Sequence, residues 1–199
     1  MFCGIVKAEG EIVQVHDLGV GRQFVIRAPE SILLRLRPTD SVLLSGVCFT
    51  VHKKDEETFL IEAMPQTTRL TTAGSWKQGD IINIEPSLRM GDPVGGHFVY
   101  GHVDEIGTVT KCAREGNALL ITLQVTPELM KQIFPRASVA IDGVSLTVVS
   151  TTSDQFTVSL IPDTVERTTL GNLSAGSRVN METDMMIKYA QQCLQDAGR

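Results

Sequence analysis

The strongest constraint on the fold is an internal repeat, because residues i and i+97 align without a gap through most of the chain. Between positions 4 and 85, 20 of 82 aligned pairs are identical, whereas residue frequencies of this kind give on the order of 5 by chance. Identical pairs include Gly4 and Gly101, Gly46 and Gly143, Thr50 and Thr147, Pro65 and Pro162, and Glu85 and Glu182. The chain is therefore predicted to contain two copies of one domain.

Each copy consists of short runs rich in Val, Ile, Leu and Thr, separated by Gly, Asn, Asp or Pro, which is typical of strands joined by turns. We predict strands near 4–15, 22–27, 41–44, 47–52, 58–63 and 81–85, with counterparts 97 residues later. One helical stretch interrupts each copy, at 29–38 and 126–135, where an early acidic residue and a final proline mark its ends. The predicted fold class is all-β, with two tandem six-stranded antiparallel closed barrels.

The residues after Glu182 have no counterpart in the repeat and predict a C-terminal α-helix. Thr183 or Asp184 can cap this helix. One of its faces carries Met186, Ala190, Cys193 and Leu194. The helix could pack on its own barrel or mediate association between chains. The association is favoured because two complete barrels leave little apolar core for the helix to cover. The predicted units are 1–97 and 98–184 for the barrels and 185–199 for the association helix.

Composition argues against several classes of protein. The net charge is -5, with 18 Lys and Arg against 23 Asp and Glu, and scattered basic residues do not suit a nucleic-acid binder. The sequence has neither an apolar run long enough to span a membrane nor a secretory signal pattern. Its four cysteines lie far apart without a C-x-x-C pair, which favours reduced thiols over zinc ligands or disulfides. We therefore expect a cytoplasmic protein that binds neither nucleic acid nor membranes.

The best-defined paired motif is a hairpin, SVLLSGVCFTV at 41–51 and SVAIDGVSLTV at 138–148. The period of two along a strand places Cys48 and Thr50 on one face in the first copy, and Ser145 and Thr147 in the second. Polar groups in register on a barrel strand can line the mouth of a pocket. Ser and Thr are also ordinary strand residues, so either copy alone would be a weak signal.

A second paired motif spans 62–74 and 159–171. Pro65 and Pro162 each end a strand and leave backbone groups exposed beside Thr67 and Thr164. Unpaired N–H and C=O groups suit the imide edge of a flat heterocycle. The alternative is a plain loop followed by a helical turn.

The symmetry breaks at the junction of the copies, where the sequence GGHFVYGH covers 95–102. His102 aligns with Ile5, and an imidazole can transfer a proton at neutral pH. A lone strand histidine is more often structural. Cys48, which aligns with Ser145, is likewise either a small buried hydrophobe or a pocket thiol.

These motifs together resemble the riboflavin synthase family of the alpha-chain type. The similarity covers the start MFxGIV, the SGVCFTV and DGVSLTV hairpins, GGHxxxGH, and IPxTxxRTTLG. It implies a transferase without cofactor or metal, in which two 6,7-dimethyl-8-ribityllumazine molecules exchange a four-carbon unit. The products would be riboflavin and 5-amino-6-(ribitylamino)uracil, in the last step of riboflavin biosynthesis. The resemblance also implies a homotrimer, with the C-terminal helix at the trimer contact, and an association with lumazine synthase.

The same resemblance implies an active site between the N-terminal barrel of one chain and the C-terminal barrel of its neighbour. The first lumazine would contact Cys48, Phe49, Thr50, Glu62, Ala63, Met64, Pro65, Gln66 and Thr67. The second would contact Arg136, Ser145, Leu146, Thr147, Ser159, Leu160, Ile161, Pro162, Asp163 and Thr164. Completing the walls would be Gly4, Ile5, Val6, Gly101, His102 and Val103. His102 and Thr147 are the candidates for proton handling, Ser41 and Cys48 for activating the electrophile, and Ser145 is a further catalytic candidate.

The chain departs from the family pattern at Cys3, Ser45, Gln66, Tyr100 and Arg136. Most of these changes fall near the N-terminal half of the site, so they bear on how that barrel would bind and orient its lumazine. The rival interpretation is a non-catalytic lumazine-binding antenna protein. Such proteins lack the GGHxxxGH segment and an intact second barrel motif, and this chain has both, so the synthase is favoured.

Overall fold

The computed structural model describes residues 1–197 and contains two closed barrels of six antiparallel strands each, as the repeat predicts. The first barrel consists of β1 (Ala8–Asp17), β2 (Arg22–Arg27), β3 (Ser41–Leu44), β4 (Val47–Lys54), β5 (Thr58–Ala63) and β6 (Ile81–Pro86). The second consists of β7 (Glu105–Glu115), β8 (Ala118–Gln124), β9 (Ser138–Ile141), β10 (Val144–Thr151), β11 (Gln155–Leu160) and β12 (Arg178–Thr183). Both close in the same strand order, first-second-fifth-fourth-third-sixth. The predicted fold class is confirmed.

Alternating side chains fill the interior of each barrel. Phe24 and Ile26 of β2 and Phe59 and Ile61 of β5 are fully buried, while their neighbours in sequence face outward. This period of two is what a strand with one face on a core requires. β1 and β4 each contain an irregular register shift, and β7 and β10 repeat both shifts 97 residues later. The copies therefore agree down to the bulges that bend their strands.

Four short α-helices lie outside the barrels: α1 (Glu30–Leu33), α2 (Pro65–Leu70), α3 (Pro127–Met130) and α4 (Pro162–Arg167). α1 and α3 are much shorter than the predicted helices at 29–38 and 126–135. After α1 the backbone tightens, since Arg35 N–H bonds the carbonyl of Ile32, three residues back. Thr39 then takes a positive φ of 76° and returns the chain to β3.

The first strand of each copy begins later than predicted, at Ala8 rather than near Gly4, and at Glu105 in the second copy. Gly4 has a φ of 72°, which lies in the left-handed region and interrupts an extended strand. Residues 3–6 and 101–103, here called the crossing segments, instead reach over to the opposite barrel.

The C-terminal helix α5 (Met185–Ala197) follows the second barrel, and the last two residues of the predicted unit lie outside the described part. The carboxylate of Asp184 caps it by accepting the Met186 N–H at 2.9 Å. Ile187 packs on the core of the second barrel. The predicted apolar face points to solvent instead, with the Leu194 side chain 74% exposed. Within residues 1–197, α5 and the other helices are too short or too polar to cross a membrane.

The two barrels pack about a local twofold axis. The turn glycines Gly46 and Gly143 meet on it, since a Cβ placed on Gly46 would lie 2.8 Å from the Gly143 nitrogen. Each barrel then sends one buried asparagine side chain to the other: Asn83 Nδ2 donates to the carbonyl of Asp142 at 3.0 Å, and Asn180 Nδ2 to that of Ser45 at 2.7 Å. These buried, satisfied bonds fix the relative orientation of the barrels.

Candidate functional site

The crossing segments exchange between the two barrels. Phe2 and Val99, which are repeat counterparts, form a reciprocal backbone bridge in which each N–H donates to the other carbonyl, at 2.8 and 3.0 Å. Because this bridge is antiparallel, the two segments run from it in opposite directions. One leads Gly4 to the second barrel, where its carbonyl accepts the Ser145 N–H at 2.8 Å. The other leads Gly101 to the first barrel, where its carbonyl accepts the Cys48 N–H at 3.0 Å.

Gly4 and Gly101 permit this close approach. A Cβ on Gly4 would lie 2.6 Å from the Ser145 Cβ, and one on Gly101 would lie 2.6 Å from the Cys48 Cβ. Both glycines also have positive φ angles, 72° and 76°. A side chain at either position would therefore clash and strain the backbone together.

Two buried carboxylates hold the crossing segments in place. Glu85 of β6 accepts the backbone N–H groups of Cys3 and Gly4, at 2.8 and 3.0 Å. Glu182 of β12 accepts those of Tyr100, Gly101 and His102, at 2.7, 2.7 and 2.9 Å. Burial raises the pKa of both carboxyl groups above the usual range, while the N–H donors act in the opposite direction by stabilising the charged form.

A cleft of about 300 Å³ opens on the first barrel where its crossing segment lies. Its lining consists of Val47, Cys48, Met64, Gln66, Thr67, Leu70, Thr71, Gly101, His102 and Val103. The structure thus brings together seven of the predicted substrate contacts, from β4, the start of α2 and the crossing segment. Val103 also packs on the core of the first barrel, and the His102 side chain is exposed at the cleft.

The second barrel repeats this arrangement around Ser145. Gly4 lies against Ser145, and Val6 packs on the core of the second barrel. Thr147 is exposed on the same strand, β10, and Ile161 and Pro162 stand exposed at the start of α4. One contact has no equivalent in the first copy: the His97 Nδ1 lies 2.7 Å from the Ser145 Oγ.

Four predicted contacts direct their side chains into the barrel cores instead, namely Phe49, Ala63, Leu146 and Leu160. Phe49 packs on Trp76 with 5.9 Å between ring centroids. Their position follows from strand alternation, which turns every second side chain inward. A ligand could meet only the backbone at these residues.

The segments after β5 and β11 form the short helices α2 and α4. Pro65 and Pro162 stand at the first position of α2 and α4, where a proline costs no hydrogen bond. Thr71 and Thr168 then close each helix by donating their hydroxyls to the carbonyls of Thr67 and Thr164, both at 2.7 Å. The helical turn of the alternative is therefore present, and the contact of these backbone groups with a ligand stays a prediction. The first-turn N–H groups of such helices are the ones left without a helical partner.

The remaining predicted residues lie around these two places. Glu62 accepts a hydrogen bond from Gln23 at 2.9 Å, and Thr50 is exposed on β4 beside Ser41 of β3. Ser159 is half-buried on β11, and Asp163 pairs with Arg167 within α4. Also exposed are Ile5, on its crossing segment, and Arg136, in the turn before β9.

The thiol of Cys48 is predominantly protonated near neutral pH. Burial raises its pKa above the ordinary value and outweighs the hydrogen bond with Ser41, which lowers it. A protonated thiol is a weak nucleophile. In the described part of the chain, no three His, Cys, Asp or Glu side chains are grouped so that they could hold a metal ion.

Sequence reasoning missed three kinds of site residue: the carboxylates Glu85 and Glu182, the interbarrel asparagines Asn83 and Asn180, and His97. The first two pairs are identities in the 97-residue repeat, and a polar identity within an apolar strand was the available signal. His97 follows two glycines, the composition that a close backbone approach requires.

Comparison with known proteins assigns the chain to a protein family. The lumazine binding domain matches twice, over residues 3–87 and 100–184. Riboflavin synthase of Brucella abortus (strain 2308) is 39% identical, over 98% of this chain and 98% of that protein. This chain belongs to the riboflavin synthase family. Riboflavin synthase of Actinobacillus pleuropneumoniae is 35% identical, over 98% of this chain and 90% of its own length, and that of Bacillus subtilis (strain 168) is 34% identical, over 100% and 92%.

Solved structures of LumP have the same fold. LumP complexed with riboflavin superposes with a TM-score of 0.84 at 26% identity, covering 92% of this chain and 99% of that chain. LumP complexed with 6,7-dimethyl-8-(1'-D-ribityl) lumazine gives 0.84 at 23% identity over the same shares. The fold of this family is therefore shared by synthases and by LumP.

Proposed function

We propose that this protein is a riboflavin synthase, which transfers a four-carbon unit between two molecules of 6,7-dimethyl-8-ribityllumazine to give riboflavin and 5-amino-6-(ribitylamino)uracil. The observation that carries this proposal is that both repeat copies keep a polar strand position, Cys48 or Ser145, closed by a crossing segment from the other barrel. A reaction between two identical molecules needs two similar binding places. Holding both reactants supplies the effective concentration that a bimolecular step lacks in solution.

The reacting pair would be held between two copies of the chain. Because the crossing segments diverge from the Phe2 and Val99 bridge, the two places lie on opposite sides of the local twofold axis. His102 lines the first-barrel cleft, whereas Thr147 stands on β10 of the second barrel. If the first barrel of one chain faces the second barrel of another chain, His102 and Thr147 both reach the same pair of substrates.

In this site His102 would accept the acidic proton of the C7 methyl group of a lumazine in the first-barrel cleft. Its side chain is exposed there, and its backbone is fixed by Glu182. An imidazole suits this task near neutral pH. Thr147 from the second barrel of the neighbouring chain would hydrogen-bond the same imidazole. Cys48, whose thiol pKa is raised by burial, would contact the ring as a neutral group.

Assembly is proposed through α5, whose predicted apolar face is exposed in the single chain. A homotrimer would pair three first barrels with three second barrels and bury that face. The functional units would be 1–97, 98–184 and 185–199. In the described part of the chain all four cysteines are free thiols, in keeping with a cytoplasmic location. Association with lumazine synthase stays a prediction.

Of the departures from the family pattern, Gln66 lies directly in the first-barrel cleft. An amide there offers the ligand a donor as well as an acceptor, where a carboxylate would only accept. We therefore expect Gln66 to change the affinity for the first lumazine rather than the rate of the chemical step.

The test is to incubate purified protein with 6,7-dimethyl-8-ribityllumazine, without added cofactor or metal, and to follow the visible absorbance of riboflavin. Catalytic turnover with two lumazines consumed per riboflavin is the expected result. Tight binding of one ligand per chain without product would overturn the proposal and place the protein with the LumP-like binders. The Thr147→Val variant, which keeps the shape and removes the hydroxyl, is expected to turn over more slowly.

A further inference from the structure

Two buried asparagines, Asn83 of β6 and Asn180 of β12, point from one barrel into the other. Their neighbours in sequence pack in the core of their own barrel, so strand alternation turns the two asparagines outward. They are nevertheless only 2% and 1% exposed. In the described part of the chain, both side chains make their hydrogen bonds to the opposite barrel alone. Each side chain therefore acts on the barrel to which it does not belong.

Asn180 joins the two walls of the first-barrel cleft. Its Nδ2 donates to the carbonyl of Ser45 at 2.7 Å and to the Thr72 Oγ at 2.8 Å, and its Oδ1 accepts the Thr72 N–H at 2.8 Å. Ser45 lies two residues before Val47, where the β4 wall of the cleft begins. Thr72 directly follows Thr71, the last residue of the α2 wall. One amide thus ties the ends of both walls together.

Asn83 makes the matching contacts in the second barrel. Its Nδ2 donates to the carbonyl of Asp142 at 3.0 Å, and its Oδ1 accepts the Thr169 N–H at 2.9 Å. Asp142 lies in the turn before β10, the strand that carries Ser145. Thr169 follows Thr168, whose hydroxyl closes α4. In both barrels, the turn before one strand and the end of one helix are therefore joined by a side chain from the other barrel.

A carboxamide suits this task because its oxygen accepts while its nitrogen donates, and the two atoms lie a fixed distance apart in one plane. A backbone carbonyl on one side and a backbone N–H on the other are then held at a fixed spacing. If the amide moved away from either group, a buried backbone atom would lose its partner, which costs more than the bond itself contributes. The spacing of the two walls therefore resists change.

We propose that Asn180 is a positioning residue for the lumazine in the first barrel, and Asn83 for the lumazine in the second. This inference rests on the proposed function, because it takes the first-barrel cleft and the matching place around Ser145 as the substrate sites. Each barrel would set the width of the site on the other barrel. In the proposed assembly the two sites of one chain face different neighbours, so the two asparagines of one chain align halves of two active sites.

The experiment measures ligand binding at each barrel separately in Asn180→Ala and Asn83→Ala. Riboflavin is titrated into the full chain, and methyl NMR follows Met64, in the first-barrel cleft, and Ile161, exposed at the start of α4. In Asn180→Ala the Kd from Met64 should rise about tenfold, the equivalent of one hydrogen bond, while the Kd from Ile161 stays within about twofold. Asn83→Ala should give the reverse pattern, so each variant is the control for the other.

The crossed pattern separates positioning from a general loss of structure. A merely structural role would weaken binding in both barrels, or in the barrel that carries the substitution, and either result would overturn the inference. Unchanged binding in both variants would overturn it as well. If riboflavin shifts only one of the two methyl resonances, only the variant of the opposite barrel should weaken binding there. A wild type that binds riboflavin without producing it from lumazine would refute the synthase proposal, and the crossed pattern would still decide the positioning roles.

Thr72→Val is the milder test if an alanine variant fails to fold by circular dichroism. It keeps the side-chain shape and removes only the hydroxyl that accepts from the Asn180 Nδ2. The Kd from Met64 should then rise about threefold. The matched control Thr169→Val should bind as wild type, because in the described structure Asn83 contacts the N–H of Thr169 rather than its hydroxyl. Equal binding in Thr72→Val and wild type would contradict the positioning role.

Discussion

Replacing Asp142 by asparagine should change how the stability of the protein depends on pH. Asp142 lies in the turn on the local twofold axis, is 8% exposed, and accepts the Asn180 N–H at 2.8 Å. Its counterpart Ser45 accepts the Asn83 N–H with a neutral hydroxyl at 3.1 Å. Burial raises the pKa of Asp142 from 3.8 to about 7, outweighing the Asn180 hydrogen bond.

The sign of the effect follows from proton linkage. A carboxyl with a higher pKa in the folded chain binds its proton more tightly when folded, so its favourable contribution is full at low pH. Between about pH 4 and pH 7, the free energy of unfolding should fall by up to about 1.4 kcal/mol per pH unit from this group. The full difference has a ceiling of about 4 kcal/mol. Asp142→Asn keeps an acceptor for Asn180, tolerates the φ of 43° at this position, and cannot ionise.

The assay is urea unfolding at several pH values, followed by the fluorescence of Trp76, the only tryptophan, and by far-UV circular dichroism. Asp142→Asn should be more stable than wild type at pH 8 and nearly equal at pH 4. The control Glu56→Gln removes an exposed carboxylate and should leave the wild-type slope. Equal slopes in wild type and Asp142→Asn would refute the reasoning.

Further predictions concern the crossing segments and α5. Glu182→Gln removes the charge and turns an amide NH₂ toward backbone N–H groups. The hydrogen bonds that hold the crossing segment should then weaken by about 1.5–3 kcal/mol, and turnover should fall at least tenfold. Unchanged kinetics would contradict the positioning role of Glu182. Gly101→Ala should weaken riboflavin binding more than Gly79→Ala, which has a similar positive φ but open space around it. His102→Gln should lower kcat and leave ligand affinity unchanged, whereas an unaltered kcat would remove its proposed proton role. Deleting 187–199 should reduce the mass in light scattering; an unchanged mass would exclude α5 as the association element.

The barrels could be predicted from the sequence because their determinants are local and occur twice. The bounds of β2, β3 and β5 agree with the prediction to the residue. Alternating apolar residues and turn glycines define a strand wherever it lies in the chain. The predicted helices were too long because apolar spacing fits a helix as well as a tight turn, and only tertiary contacts decided that Leu36 is buried after the helix ends.

The site was predictable only in part, since it depends on contacts between distant residues. Cys48, Gln66 and His102 do line one cleft. That Gly4 leaves its own barrel could not be inferred, because its partner in the other barrel, Ser145, lies about 140 residues further along the chain. Nor could sequence spacing reveal that His97 meets Ser145, 48 residues later.

The exchange of the crossing segments also constrains the order of events during synthesis. Residues 3–6 leave the ribosome well before their partner, Ser145, which is made about 140 residues later, a delay of roughly 10 s at typical translation rates. Phe2, fully buried in the finished protein, must likewise wait for its bridge partner Val99 to be made. The first barrel waits a shorter time for its crossing segment, because Gly101 closely follows the last strand of this barrel in the sequence. Neither cleft is complete on a nascent chain that stops between the barrels, so the earliest-made part of the second site is the last to be fixed.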